Sequence, residues 1–215
     1  MKNLLIINAS PRGERSVTRD LTKLFATKWM EANPDYTIHH REVGREPIPH
    51  VSELWISATF KPAELRTEEE IDILKISDMY IAEIKAADVI VLGTPMYNWS
   101  IPSVLKAYLD QVIRANETVK MRPDDPKNPY RGLLKDKKVY LLFSRGNAGY
   151  ERDEYYAHMN FQTEYLKTVF KIMGLTDIQE IALNGSAFDQ EVYEQSKKDV
   201  YSKIAEMASN DKIIA

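Results

Sequence analysis

Residues 89–113 read VIVLGTPMYNWSIPSVLKAYLDQVI, and this stretch decides the fold class. Its first five residues, VIVLG, form an unbroken apolar run. A run that short, with no polar alternation, is expected of a strand buried on both faces at the centre of a sheet. Further on, Val104, Leu105, Tyr108, Leu109, Val112 and Ile113 fall on one face at helical spacing. Ser100 is the expected N-cap of that helix, with Pro102 in its first turn. Buried strand, polar turn and amphipathic helix together make half of a βαβ unit.

The same alternation extends in both directions. LLIIN (4–8) reads as a first buried strand, and Leu21, Leu24, Phe25 and Trp29 mark a helix that must stop before Pro34. Residues 36–43 suit a second, more exposed strand. VYLLF (139–143) and IQEIAL (178–183) supply the fourth and fifth. Thr67 and Glu70 form a capping box that opens a helix running to residue 86, with Ile71, Leu74 and Ile81 among its apolar positions. Phe161, Tyr165, Val169 and Met173 mark another helix, ended by Gly174. Val192, Val200, Ile204 and Met207 mark the last. Residues 44–66, with Pro47, Pro49 and Pro62, are expected to be an irregular loop carrying Trp55 and Phe60. Residues 118–138, rich in proline and charge, interrupt the pattern. Five strands alternating with five helices predict an α/β fold, a doubly wound parallel sheet with helices on both faces. Strand order 2-1-3-4-5 is expected because it makes the two most apolar strands neighbours, and 3-2-1-4-5 is the alternative.

The 215 residues include 29 Lys+Arg and 32 Asp+Glu, a formal net charge of −3. Hydrophobic residues make up 44% and charged residues 28%, which suits a packed soluble domain and excludes disorder as the main state. A near-neutral chain lacks the basic surface that phosphate-backbone binding needs, so no nucleic-acid partner is expected. With no cysteine, a disulfide scaffold, a thiolate nucleophile, a cysteine–zinc site and an iron–sulfur cluster are all excluded. Cytoplasm is the expected location. The opening apolar run is too short for a signal-peptide core. Residues 89–105, free of charge, are interrupted by Pro95, Asn98, Ser100 and Pro102, so no membrane span is expected.

In a doubly wound sheet, ligands bind beyond the carboxyl ends of the strands. Ser10, Ser16, Val17 and Thr18 follow the first strand and lead into a helix, where hydroxyls and open N–H groups suit an anion such as a phosphate monoester. A plain N-cap turn is the alternative, and Arg12 and Arg15 either assist or face solvent. The turn is neither a dinucleotide fingerprint nor a Walker loop, since G-x-G-x-x-G and G-K-[ST] are absent. Met96, Tyr97, Asn98 and Trp99 follow the third strand and offer a flat apolar wall with an amide, or else a packed loop. Ser144, Arg145, Gly146 and Asn147 follow the fourth, where glycine permits close approach to a ligand or simply a tight turn. A phosphate loop, a ring wall and a polar edge on one side of a sheet are the three parts that a flavin mononucleotide requires. His39 and His40 point to opposite faces of a strand, so no metal site is expected. Tyr97, Tyr150, Tyr155 and His158 are each able to supply a proton, and nothing selects a catalytic residue among them.

At this level the chain resembles the FMN-dependent NADH-azoreductase and NAD(P)H:quinone oxidoreductase family, flavodoxin-like flavoenzymes. The block PMYNWSIPSVLKAYLD (95–110) is similar to that family's P-M-Y-N-[FW]…L-K-x-Y-[FL]-D, SRGN (144–147) to its S-R-G-G, and Ser10 with Ser16-Val17-Thr18 to its S…S-x-[ST] phosphate loop. The resemblance covers nearly the whole chain and implies one FMN-binding domain over residues 1–215. It implies that Ser10, Ser16, Val17 and Thr18 bind the flavin phosphate. Met96, Tyr97, Asn98 and Trp99 would line the isoalloxazine, and Ser144, Arg145, Gly146 and Asn147 would contact its pyrimidine side. Asn147 departs from the family's usual glycine, and the insertion at 121–130 is expected to border the substrate pocket. The resemblance further implies NADH or NADPH as electron donor, quinones or azo compounds as acceptors, and a homodimer with two flavins at its interface. Trp55, Phe60 and the helix from Ile101 are the expected contacts. A flavodoxin-type carrier, or a flavin-binding regulator without turnover, is the alternative. Carriers are typically shorter and strongly acidic, unlike a chain at −3.

Overall fold

The computed structural model describes residues 2–187 and 190–210, apart from the side chains of Val192 and Asn210. In chain order its elements are β1 (Lys2–Asn8), α1 (Val17–Ala32), β2 (Tyr36–Arg41), α2 (Glu53–Phe60), α3 (Glu68–Ala86), β3 (Val89–Pro95), α4 (Ser103–Val112), β4 (Val119–Met121), β5 (Tyr130–Gly132), β6 (Lys138–Ser144), α5 (Thr163–Ile172), β7 (Asp177–Leu183) and α6 (Gln190–Asn210). The five long strands form one parallel sheet, β2-β1-β3-β6-β7. This is the 2-1-3-4-5 order, and the alternative order does not occur. Ile6 lies level with Val91, and Val91 with Tyr140.

Alternate residues of the central strands feed two cores, because successive side chains in a strand point to opposite faces. Leu4, Ile6, Val89, Val91, Tyr140 and Leu142 meet Leu21, Phe25 and Trp29 of α1 and Val200, Ile204 and Ala208 of α6. Leu5, Ile7, Ile90, Leu92, Leu141 and Phe143 meet α3, α4 and α5 through Ile81, Tyr108, Leu109 and Leu166. Trp29 stacks on Phe25 at 5.6 Å and meets Tyr36 edge-on at 5.4 Å. Ile71, expected among the apolar positions of α3, is exposed, whereas Leu74 and Ile81 are buried. Among the described residues, no helix is long and apolar enough to cross a membrane.

Three local expectations are corrected. Residues 44–66 contain a helix, α2, because Ser52 Oγ accepts the Trp55 N–H (3.2 Å) and the Trp55 ring turns inward against Leu74. Trp55 Nε1 donates to Gln111 Oε1 at 2.9 Å, so this indole is core rather than partner surface; Phe60, 73% exposed, remains outside. Ser100 does not cap α4. It closes a turn with Tyr97, and Pro102 takes the N-cap place. Residues 118–138 are not merely an interruption, since they form the antiparallel β4–β5 hairpin.

That hairpin is pinned at the amino edge of the sheet. After α5 the chain reverses at Gly174 (φ +100°), where Leu175 N–H donates to Phe170 O and Gly174 N–H to Lys171 O. This is the Schellman arrangement, and it needs the left-handed residue that glycine supplies. A Cβ on Gly132 would overlap the backbone of Gly174. Gly132→Ala is therefore expected to destabilise the protein by about 1–3 kcal/mol or more, since two backbone segments must part. Urea unfolding checks this as a lower midpoint.

Candidate functional site

The carboxyl ends of β1, β3 and β6 bring their three following loops together. Beyond β1, Ser10, Ser16 and Thr18 are all buried. Ser16 is the N-cap of α1: its Oγ accepts the Arg19 N–H (3.3 Å) and lies 3.2 Å from Thr18 Oγ1. The N–H groups of Val17 and Thr18 belong to the first turn, which an α-helix leaves without an intrahelical acceptor. Their partial positive charge and the sixteen-residue helix behind them make this corner attractive to an anion. Arg19 braces the loop from behind, donating to Ser10 O at 3.0 Å and pairing with Glu42, which also accepts Asn8 Nδ2 at 2.8 Å.

Beyond β3, Met96 N–H donates to Ser144 O at 2.9 Å and ties this loop to the end of β6. Tyr97 and Ser100 exchange two backbone hydrogen bonds, and the two residues between them, Asn98 (φ 47°) and Trp99 (φ 63°), are both left-handed. Asparagine tolerates this conformation. Tryptophan does so at a cost of roughly 1–3 kcal/mol. The strained residue leaves its indole 47% exposed.

These loops enclose two joined cavities. One, of about 270 Å³, is lined by Ser10, Ser16, Val17, Thr18, Met96, Tyr97, Ser144 and Gly146, together with Arg12, Pro95, Ser186 and Ala187. The other, of about 440 Å³, is lined by Met96, Asn98, Trp99, Gly146, Asn147, Tyr150, Tyr156 and Met159. Met96 and Gly146 belong to both. A larger groove, of about 770 Å³, lies at the β2 edge. No residue of the loops after β1, β3 and β6 lines it, so position rather than size selects the joined pair.

A model of the flavodoxin-like fold family matches residues 2–208. An FMN-dependent NADH:quinone oxidoreductase of Nostoc punctiforme is 42% identical over 184 residues, covering 86% of this chain and 87% of the relative. The chain belongs to this flavodoxin-like family of quinone oxidoreductases. An FMN-dependent NAD(P)H:quinone oxidoreductase of Pseudomonas aeruginosa is 34% identical, covering 97% of this chain and 99% of the relative. Among solved structures, an azoreductase of Bacillus anthracis superposes with TM-score 0.87 at 28% identity, covering 98% of this chain and all of the other. An FMN-dependent NADH-azoreductase of the same species, solved in complex with FMN, gives TM-score 0.84 at 26% identity, covering 97% and 99%.

Within that family frame, eleven of the twelve expected site residues line the two cavities; Arg145 does not. Its side chain turns into the protein, bonded to Gln162, Thr163 and Glu151, and its N–H is taken by Leu183 O. Asn147 turns its Oδ1 to the next N–H, that of Ala148, at 2.9 Å. Arg12 lines the smaller cavity and Arg15 does not. Of the four expected proton sources, Tyr97 and Tyr150 line the cavities, whereas Tyr155 and His158 are exposed outside them. The insertion at 121–130 lines neither cavity, and the base of its hairpin is pinned at the amino edge of the sheet.

Ser186 and Ala187 escaped the sequence reading, although they follow the fifth long strand. Applying the carboxyl-end rule to that strand as well would have found them. Tyr156 and Met159 lie in a long irregular segment that carries no periodic signal. Ser16→Ala is expected to cost about 0.5–2 kcal/mol of stability through the lost N-cap. By contrast, Trp99→Gly is expected to cost less than about 1 kcal/mol, far below the ~3–5 kcal/mol of a core tryptophan, because it releases left-handed strain. Denaturant midpoints of the two variants compare these costs directly.

Proposed function

We propose that this chain is an FMN-dependent NAD(P)H oxidoreductase that reduces quinones and azo compounds by two-electron transfer. The observation that carries this reading is the union of a helix-N-terminal anion corner with a flat-walled cleft through Met96 and Gly146. The donor set fits FMN. Buried hydroxyls of Ser10, Ser16 and Thr18, with the N–H of Val17, suit a phosphate; Met96, Tyr97, Asn98 and Trp99 suit the ring; Ser144, Gly146 and Asn147 suit its polar edge.

FMN, when bound, supplies two-electron chemistry between a nicotinamide and an acceptor. The protein anchors the phosphate, orients the ring and excludes water from one face. Donor and acceptor would take turns beside Trp99, a ping-pong order, with NADH or NADPH first and the quinone or azo compound second. The backbone N–H groups of Asn98, Gly146 and Asn147 would offset the negative charge of the reduced ring. Tyr97, Tyr150 and Tyr156 line the cavities and are the tyrosines that would supply a proton.

The working form is a homodimer in the cytoplasm, where NAD(P)H is plentiful. Ile56, Phe60, Leu65, Ile71 and Met79 are exposed apolar residues on and around α2 and α3, a surface that a partner would cover.

The absorption spectrum of the purified protein with added FMN, followed by NADH without air, tests the reading. Flavin bands that bleach with NADH and return with a quinone support it. Bands indifferent to NADH favour an electron carrier, and failure to bind FMN sinks the flavin reading. Replacing Ser16 and Thr18 together by Ala should weaken FMN binding by about 1.5–3 kcal/mol for each lost charge-assisted bond. Fluorescence titration reads this, and unchanged affinity would place the phosphate elsewhere.

A further inference from the structure

Arg145 is the most deeply buried charged side chain among the described residues, 1% exposed. Its Nε donates to Gln162 Oε1 (3.2 Å), Nη2 to Thr163 Oγ1 (2.7 Å) and Nη1 to Glu151 Oε1 (2.6 Å). The guanidinium lies 5.2 Å from the Phe143 ring centre and 5.9 Å from that of Tyr150. Tyr150 is itself a wall of the larger cavity. The cation therefore stands one ring behind the cleft.

Two features leave this charge incompletely neutralised. Its carboxylate partner, Glu151, is 46% exposed, so water screens the negative end of the pair while the positive end is dry. Gln162 and Thr163 stand at the start of α5, whose amino terminus adds positive potential rather than relieving it. Gln162 Nε2, another buried donor, has no partner among the described residues. A dry cation at the wrong end of a helix costs stability, and packed hydrophobic side chains would commonly serve the core as well. Such a cost persists where function uses it.

We propose that Arg145 is an electrostatic positioning residue. Its side chain lines neither cavity, and its buried charge makes the cleft prefer reduced, anionic FMN over oxidised FMN. This rests on the flavin reading above. The guanidinium also holds the 144–147 turn against residues 151, 162 and 163, which is the purely architectural role from which the charge effect must be separated.

The experiment measures the FMN midpoint potential by dye equilibration, together with the dissociation constant of oxidised FMN, for wild type, Arg145→Gln, Arg145→Lys and Glu151→Gln. Arg145→Gln is expected to cut the preference for reduced over oxidised FMN about tenfold, a midpoint lower by ~30 mV for a two-electron couple. Arg145→Lys should restore most of it. Glu151→Gln should move the midpoint the opposite way by a smaller amount, because it strips the cation of its counter-charge. Opposite signs from two members of one ion pair are what a charge effect predicts and a loop-building effect does not. If Arg145→Gln weakens both redox forms alike and leaves the midpoint in place, the proposal is overturned. Should Arg145→Gln fail to fold, Glu151→Gln decides: an upward shift supports the proposal and no shift overturns it. A wild type that binds no FMN removes the flavin reading and this inference together, a result distinct from FMN binding with an unmoved potential.

Discussion

Parallel pairing continues past the ends of the strands, and the site depends on that continuation. Ala9 N–H donates to Gly93 O and Met96 N–H to Ser144 O, each at 2.9 Å, while Arg145 N–H reaches Leu183 O at the same distance. Four successive strands are thus stitched together just where their loops depart. Parallel strands need crossovers, and the crossovers return each chain segment to the same starting edge. Every loop after a strand therefore opens on one side of the molecule. Gly93 shows how tight the stitching is: a Cβ there would stand 2.5 Å from Thr22 Cγ2, displacing the helix whose amino terminus carries Ser16, Val17 and Thr18.

From this frame the site accepts local costs. Asn98 and Trp99 sit left-handed between two hydrogen-bonded neighbours, and Arg145 lies dry behind the cleft wall. Both features would be unfavourable in an idealised domain; the first lines the larger cavity and the second stands behind its Tyr150 wall. Elsewhere two buried charged groups are well matched. Arg114 donates to Ser77 Oγ at 2.8 Å and pairs with Asp78 at 2.6 Å. The Thr67–Glu70 capping box opens α3, and Lys61 with the Thr67 N–H holds the Glu70 carboxyl below the usual carboxylate range.

Much of the fold was legible because its signals are local. Apolar runs of five residues mark buried strands, and helical spacing marks α1, α3 and α4. The loops of the site were legible through their place after each strand. What escaped were features set by distant partners. Trp55 became core because Gln111, fifty-six positions away, meets its N–H. Ser100 lost the capping role to a turn whose geometry depends on Tyr97. The base of the β4–β5 hairpin is pinned to Gly174, far along the chain.

The sequence by itself determined the alternating architecture, the buried strands, the hydroxyl-rich helix start and the aromatic turn, because each follows from side-chain type and short-range spacing. Tertiary structure alone decided which side chains face the cleft. Arg145 and Gly146 are neighbours in the chain, yet one is buried behind the wall and the other lines both cavities. Backbone direction at the end of β6, and the acceptors offered by residues 151, 162 and 163, make that choice, and no local pattern encodes it.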